Sequence, residues 1–344
     1  MIRLVVACAF ALAVAFPATG LASTPAAPAQ PVEPATGPGG AAHKWDAMKV
    51  VFHDDADDNL DYWTYEPRQW TGKAAKKPDR VPVTFFLHGY SATDPVAYMN
   101  WIKHIVEKGN ALIYPKYQAN NYIPTAWYTP NAISALKSAL AWLKANGKPK
   151  LRLGKGANVI GHSYGGAVAT NVGAEAVAAG LPKPASMLLV NPFVENADYK
   201  PPADAIDADL SGIPKGTELA CIVADIDAPA GRLGCDEIFG RIDHVKRADY
   251  LWMYSDDHGD PPLEISHRAP SIASPDDAYD FYGFWKLSDA LGTCALDDRN
   301  CAYAIGGGAR QRSLGEWSDG TPVRPMDVFT KPPPCPEGTQ TYGC

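Results

Sequence analysis

Apolar residues recur along this chain with two different periods, and stretches of the two kinds alternate. From residue 81 onward, short apolar runs at 81–87, 111–114, 158–161, 186–190, 218–224 and 250–254 have the length and composition of buried strands. Between them lie helical patterns. Residues 98–108 put Trp101, Ile102 and Ile105 on one face, and 131–145 repeats Ile133, Leu136, Leu140 and Leu143 at steps of three and four. Small residues dominate 165–179, and 276–291 is a late amphipathic helix. Strands alternating with helices predict an α/β class fold, a mostly parallel sheet flanked by helices on both faces. Nothing marks a second domain. Residues 44–344 are therefore expected as a single domain, with a Gly-, Pro- and Cys-rich C-terminal extension from about 292 that wraps the surface.

Residues 1–43 lack the alternation. Arg3 precedes an apolar run over 4–16 and the small-residue stretch Gly20-Leu21-Ala22, the build of a secretory signal peptide over 1–22. The run is short for a membrane span, and Cys8 sits before most of it, whereas a lipoprotein cysteine follows its apolar run. Residues 23–43 are Ala, Pro and Gly with hardly any charge, which predicts a flexible linker. The expectation is a secreted or periplasmic monomer with no transmembrane segment in the mature chain.

Composition adds little beyond this. With 46% hydrophobic and 20% charged residues in 344, the chain can bury a sizeable core. A net charge of -7 argues against nucleic acid or an anionic membrane as partner, both of which favour a basic face. Cysteine usage agrees with export: beyond Cys8 there are Cys221, Cys235, Cys294, Cys301, Cys335 and Cys344, and no spacing among them resembles a metal site. The sequence does not select among the possible disulfide pairings. Joining sequential neighbours is the expectation, because each such pair closes a short loop.

The chemistry concentrates at Gly161-His162-Ser163-Tyr164-Gly165. Gly-x-Ser-x-Gly alone is a weak signal, and its setting gives it weight: it follows the short strand Asn158-Val159-Ile160 and opens a helix of small residues. So tight a strand-to-helix bend strains the central residue, and the flanking glycines avoid collisions with neighbouring chain. Ser163 is then a raised nucleophile at a helix N-terminus, whose N–H groups face developing negative charge. A second element, His88-Gly89-Tyr90, follows the apolar strand Val83-Thr84-Phe85-Phe86-Leu87. An oxyanion needs two donors, and the N–H groups of Tyr164 and Tyr90 are the candidates.

On these residues, and on His267-Arg268-Ala269-Pro270 before the late helix, the chain resembles the α/β-hydrolases. Its layout looks most like the exported cutinase, polyesterase and dienelactone-hydrolase-like branch, over about residues 81–291. The resemblance implies the order serine, acid, histidine, with the acid after a strand. Following the strand at 218–224, Asp227 fits the family spacing, and Asp225 is the alternative, otherwise a capping carboxylate. For the base, His267 lies in surroundings like those of cutinases, while His258 lies nearer the strand end. His162 is expected to point away from the cleft, and His88 to brace the oxyanion loop. The implied function is ester hydrolysis through an acyl-enzyme on Ser163, acting on a small-molecule or polymeric ester without metal or organic cofactor. A peptidase or amidase on the same residues and a non-catalytic binding protein that retains the fold are the alternatives. Asp54-Asp55-Ala56-Asp57-Asp58-Asn59-Leu60-Asp61 has the charge of a calcium loop but lacks its glycine and terminal glutamate, and is read as a solvated loop.

Overall fold

A computed structural model describes residues 26–72, 76–201 and 204–344. Among the described residues nine strands form one sheet: β1 (Trp45–His53), β2 (Tyr62–Trp70), β3 (Val83–Leu87), β4 (Ala111–Pro115), β5 (Ala157–His162), β6 (Pro184–Val190), β7 (Glu218–Ala224), β8 (Arg247–Met253) and β9 (Asp327–Phe329). Their spatial order is β1-β2-β4-β3-β5-β6-β7-β8-β9. The strands from β4 to β8 in that order run parallel, β1 and β2 are antiparallel at one edge, and β9 is antiparallel at the other. This is the strand order of the α/β-hydrolase fold.

Both faces of the sheet are covered, which is why its central strands read as continuous apolar runs. The side-chain period of two divides each strand between two cores. Val159, Met187, Leu189, Leu219, Val223 and Trp252 lie on one face, packed with α2 (Tyr128–Asn146), α3 (Tyr164–Glu175) and α4 (Leu233–Phe239). Ile160, Leu188, Ile222, Leu251 and Met253 lie on the other, against α1 (Met99–Glu107) and α5 (Trp285–Asp297). The late helix begins as a wide turn over Asp280–Phe284 that runs into α5.

Strands β1 and β2 were not evident in the sequence. β2 carries a charge in its buried half: Glu66, 1% exposed, accepts from the Lys148 N–H at 2.6 Å and pairs with Lys49 and Arg68. The disulfides join sequential neighbours, Cys221–Cys235, Cys294–Cys301 and Cys335–Cys344, bonds that persist in oxidising compartments. Among the described residues no helix is long and apolar enough to cross a membrane.

The signal-peptide expectation over 1–22 lies outside the described residues. The linker expectation requires correction over residues 26–43. This segment forms neither helix nor strand, yet it lies along the body. Pro28 O accepts from Asp260 N, Ala29 exchanges hydrogen bonds with Ser318, Val32 O accepts from the Tyr282 hydroxyl, and Gly39 N donates to Asp289. Composition misled because the partners of these backbone groups lie more than 200 residues away in sequence.

Candidate active site

The elbow is built by close approach. Gly161 and Gly165 face each other across it: a Cβ on Gly161 would sit 2.2 Å from Gly165 O, and one on Gly165 would sit 2.2 Å from both Leu87 O and His88 O. Only glycine lets α3 start so near β3 and β5. Between them Ser163 adopts φ 57° and ψ -129°, a conformation that costs an L-residue roughly 1–3 kcal/mol. The bend is over-determined: Ser163 N donates to Val190 O at 3.0 Å, and Ser163 O accepts from Gly166 N at 2.8 Å and Phe193 N at 2.9 Å.

The strain aims the hydroxyl at an imidazole. Ser163 Oγ lies 2.9 Å from His267 Nε2, and His267 Nδ1 lies 2.9 Å from Asp227 Oδ2. Asp227 is fully buried, and its other oxygen accepts from Ala230 N at 2.8 Å. With that carboxylate acting only as an acceptor, the proton sits on Nδ1, and Nε2 is left to accept from the serine. The sequence leaves two acids and two bases open, and the structure brings together Asp227 and His267. Asp225 instead accepts from Ser255 N and Oγ, both at 2.9 Å, tying the ends of β7 and β8; burial raises its carboxyl above the usual range. His258 is instead exposed and pairs with Asp319 at 2.9 Å.

Beside the serine, Gly89 O accepts from Ala92 N at 3.0 Å in a turn with Ser91 at φ 63°. That turn leaves the Tyr90 N–H unused, and the Tyr164 N–H, first in α3, has no intrahelical acceptor. Among the described residues neither N–H has a hydrogen-bond partner in the protein. His88 braces this loop from below, with ring nitrogens 2.7 Å from Gly89 O and from Lys116 O, and full burial pushes its pKa down to about 4.

His162 differs from expectation. It does not turn away from the cleft but lines it, linking three parts of the site. Its Nε2 donates to the backbone oxygen of His267 at 2.8 Å, and its Nδ1 accepts from the Tyr98 hydroxyl at 2.8 Å. The Tyr98 hydroxyl oxygen in turn accepts from Gly89 N at 3.0 Å. Burial first, and the neighbouring His267 second, hold the His162 imidazole well below its ordinary pKa, in the neutral form this chain of donors requires. Nothing in the sequence pairs Tyr98 with His162, which lies 64 residues away.

Ser163 opens into a cleft of about 540 Å³ whose walls are mainly aromatic and apolar: Tyr90, Tyr98, Tyr164, Phe193 and Tyr199, with Arg268 among the polar residues. Among the described residues no cluster of metal-ligating side chains occurs.

No family model and no curated protein matches the chain. Among solved structures it is similar to carboxyl esterase 2 of Tuber melanosporum, at 16% identity and TM-score 0.47 over 72% of this chain and 85% of that one. It is also similar to esterase B of Lactobacillus rhamnosis, at 15% identity and TM-score 0.48 over 76% of this chain and 91% of that one. A third is a fungal esterase of Rhizomucor miehei, at 15% identity and TM-score 0.43 over 62% of this chain and 75% of that one.

Proposed function

We propose that this protein is an exported serine hydrolase of the cutinase, polyesterase and dienelactone-hydrolase-like branch, cleaving carboxylic esters through an acyl-enzyme on Ser163. The observation that carries the reading is the continuous hydrogen-bonded path Ser163 Oγ–His267–Asp227, with both steps at 2.9 Å and the serine on a strained elbow. His267 takes the Ser163 proton as Oγ attacks the ester carbonyl, and Asp227 stabilises the imidazolium. The Tyr90 and Tyr164 N–H groups receive the oxyanion. His267 then returns the proton to the departing alcohol, and water activated by the same imidazole releases the acid. The aromatic cleft favours an apolar acyl or aryl group beside the scissile bond.

The test is hydrolysis of p-nitrophenyl acetate together with labelling by a fluorophosphonate. Both are expected for the wild type, and both are expected to vanish in a folded Ser163→Ala variant. Labelling without ester turnover would favour amide cleavage, and absence of labelling would favour a binding protein.

A further inference from the structure

The loop that carries Asp227 is held by a distant part of the chain. It leaves β7 at Ala224 and reaches α4 at Leu233, and it has to find partners for its own carbonyls. Three of these are taken by residues 339–342. Ala224 O accepts from the Thr341 hydroxyl; Asp225 O accepts from Gln340 N at 2.8 Å and Thr339 Oγ1 at 3.0 Å; Asp227 O accepts from Tyr342 N at 2.9 Å. The exchange is completed by Arg232 N, which donates to Tyr342 O at 3.0 Å. Contact is close enough to exclude a side chain from Gly231, where a Cβ would lie 2.0 Å from Tyr342 O. Thr341 is 4% exposed.

The segment is itself fastened. Cys335–Cys344 closes it into a ring. Arg232, 6% exposed, reaches from the acid loop to this ring, with Nη2 2.6 Å from Pro333 O and Nη1 3.2 Å from Cys335 Sγ, while Asp236 holds its Nε at 2.7 Å.

We infer that residues 335–344 are a brace that positions Asp227 against His267, with Thr341 as a positioning residue. The inference rests on the functional reading of Ser163, His267 and Asp227 above. Asp227 is fully buried, and among the described residues its carboxylate is hydrogen-bonded only to the loop's Ala230 N and to the imidazole, so its place follows the loop backbone. Removing the brace strands three carbonyls and frees that backbone. A displacement of about 1 Å at a catalytic group can cost roughly a hundredfold in rate.

The experiment compares wild type, Thr341→Val, Thr341→Ser and a chain ended at residue 334, by ester kinetics and by the far-downfield proton resonance of the His267–Asp227 hydrogen bond. Thr341→Val is expected to lower kcat about tenfold with KM nearly unchanged and to weaken the resonance, Thr341→Ser to restore both, and the shortened chain to lose about a hundredfold. If the shortened chain does not fold, the Thr341 pair decides. A folded Thr341→Val with wild-type kcat and an unmoved resonance overturns the brace. A wild type that neither hydrolyses ester nor labels overturns the reading of the site, and the brace is then judged on the resonance alone.

Discussion

The Tyr98 hydroxyl, 2.8 Å from His162 Nδ1, joins the loop before α1 to the elbow, and through His162 to the backbone of His267. Because the same oxygen accepts from Gly89 N, one phenol spans the strand end beside Tyr90 and the loop that carries the imidazole. Tyr98→Phe keeps the ring against Phe86 but leaves two buried polar atoms unpaired. It is expected to cost about 1–3 kcal/mol of stability and roughly tenfold in kcat, measured by chemical denaturation and ester turnover.

His267 and His258 separate cleanly by substitution. His267→Ala removes the group facing Ser163 and is expected to lower kcat/KM by roughly a thousandfold or more. His258→Ala removes an exposed pair with Asp319 and an edge contact with Trp317, and its kcat/KM is expected to stay within about twofold. The reverse result would reassign the base.

Gly165→Ala tests the elbow by sterics. Its Cβ would meet two backbone oxygens at 2.2 Å, and backbone at the end of a central strand cannot move aside as a side-chain tip can. A loss of about 1–3 kcal/mol or more in urea denaturation is expected. Gly154→Ala, where nothing lies within 4 Å, is the control and should change little.

Acid should weaken the fold through His88. Its pKa falls from 6.5 to about 4 because burial disfavours the charged ring, so between those values the unfolded chain binds the proton that the folded chain refuses. This contribution is whole above pH 6.5 and is lost as pH falls toward 4, by roughly 3 kcal/mol at most. Asp277 works the other way: burial raises it to about 6, so its contribution grows as pH falls from 6 toward 3.8. The comparison of wild type with His88→Gln cancels Asp277. Melting temperatures from pH 7.5 to 4 should fall more steeply for wild type, and equal slopes would refute the assignment.

The parts of this protein legible in its sequence are those whose determinants are local. The elbow could be read because Gly161, Ser163 and Gly165 fall within five residues and the strand and helix around them carry clean periodicities. Asp227 could be preferred to Asp225 because the α/β-hydrolase resemblance sets how far the acid follows the end of β7, and that distance is short in sequence. What stayed hidden depends on distant partners. Strand β2 buries Glu66, a charge that no strand pattern predicts, and it can do so because Lys148 N lies beside it. Residues 26–43 look like a tether until Asp260, Tyr282 and Ser318 supply their hydrogen bonds. The roles of Tyr98 and His162 follow from the sheet order, which no single segment encodes.

The amide contact between Tyr342 and the carbonyl of Asp227 has a practical side for anyone handling the molecule. A purification handle or display fusion joined after Cys344 would begin three positions from Tyr342, so drag or crowding at the junction would pull on the backbone of Asp227, the partner of His267. Attachment ahead of residue 26 instead meets the body where Pro28 and Ala29 bond Asp260 and Ser318, neither of which, among the described residues, is hydrogen-bonded to Ser163, His267 or Asp227. Assays of the two fusions would then disagree for a mechanical reason, with no change in any catalytic side chain.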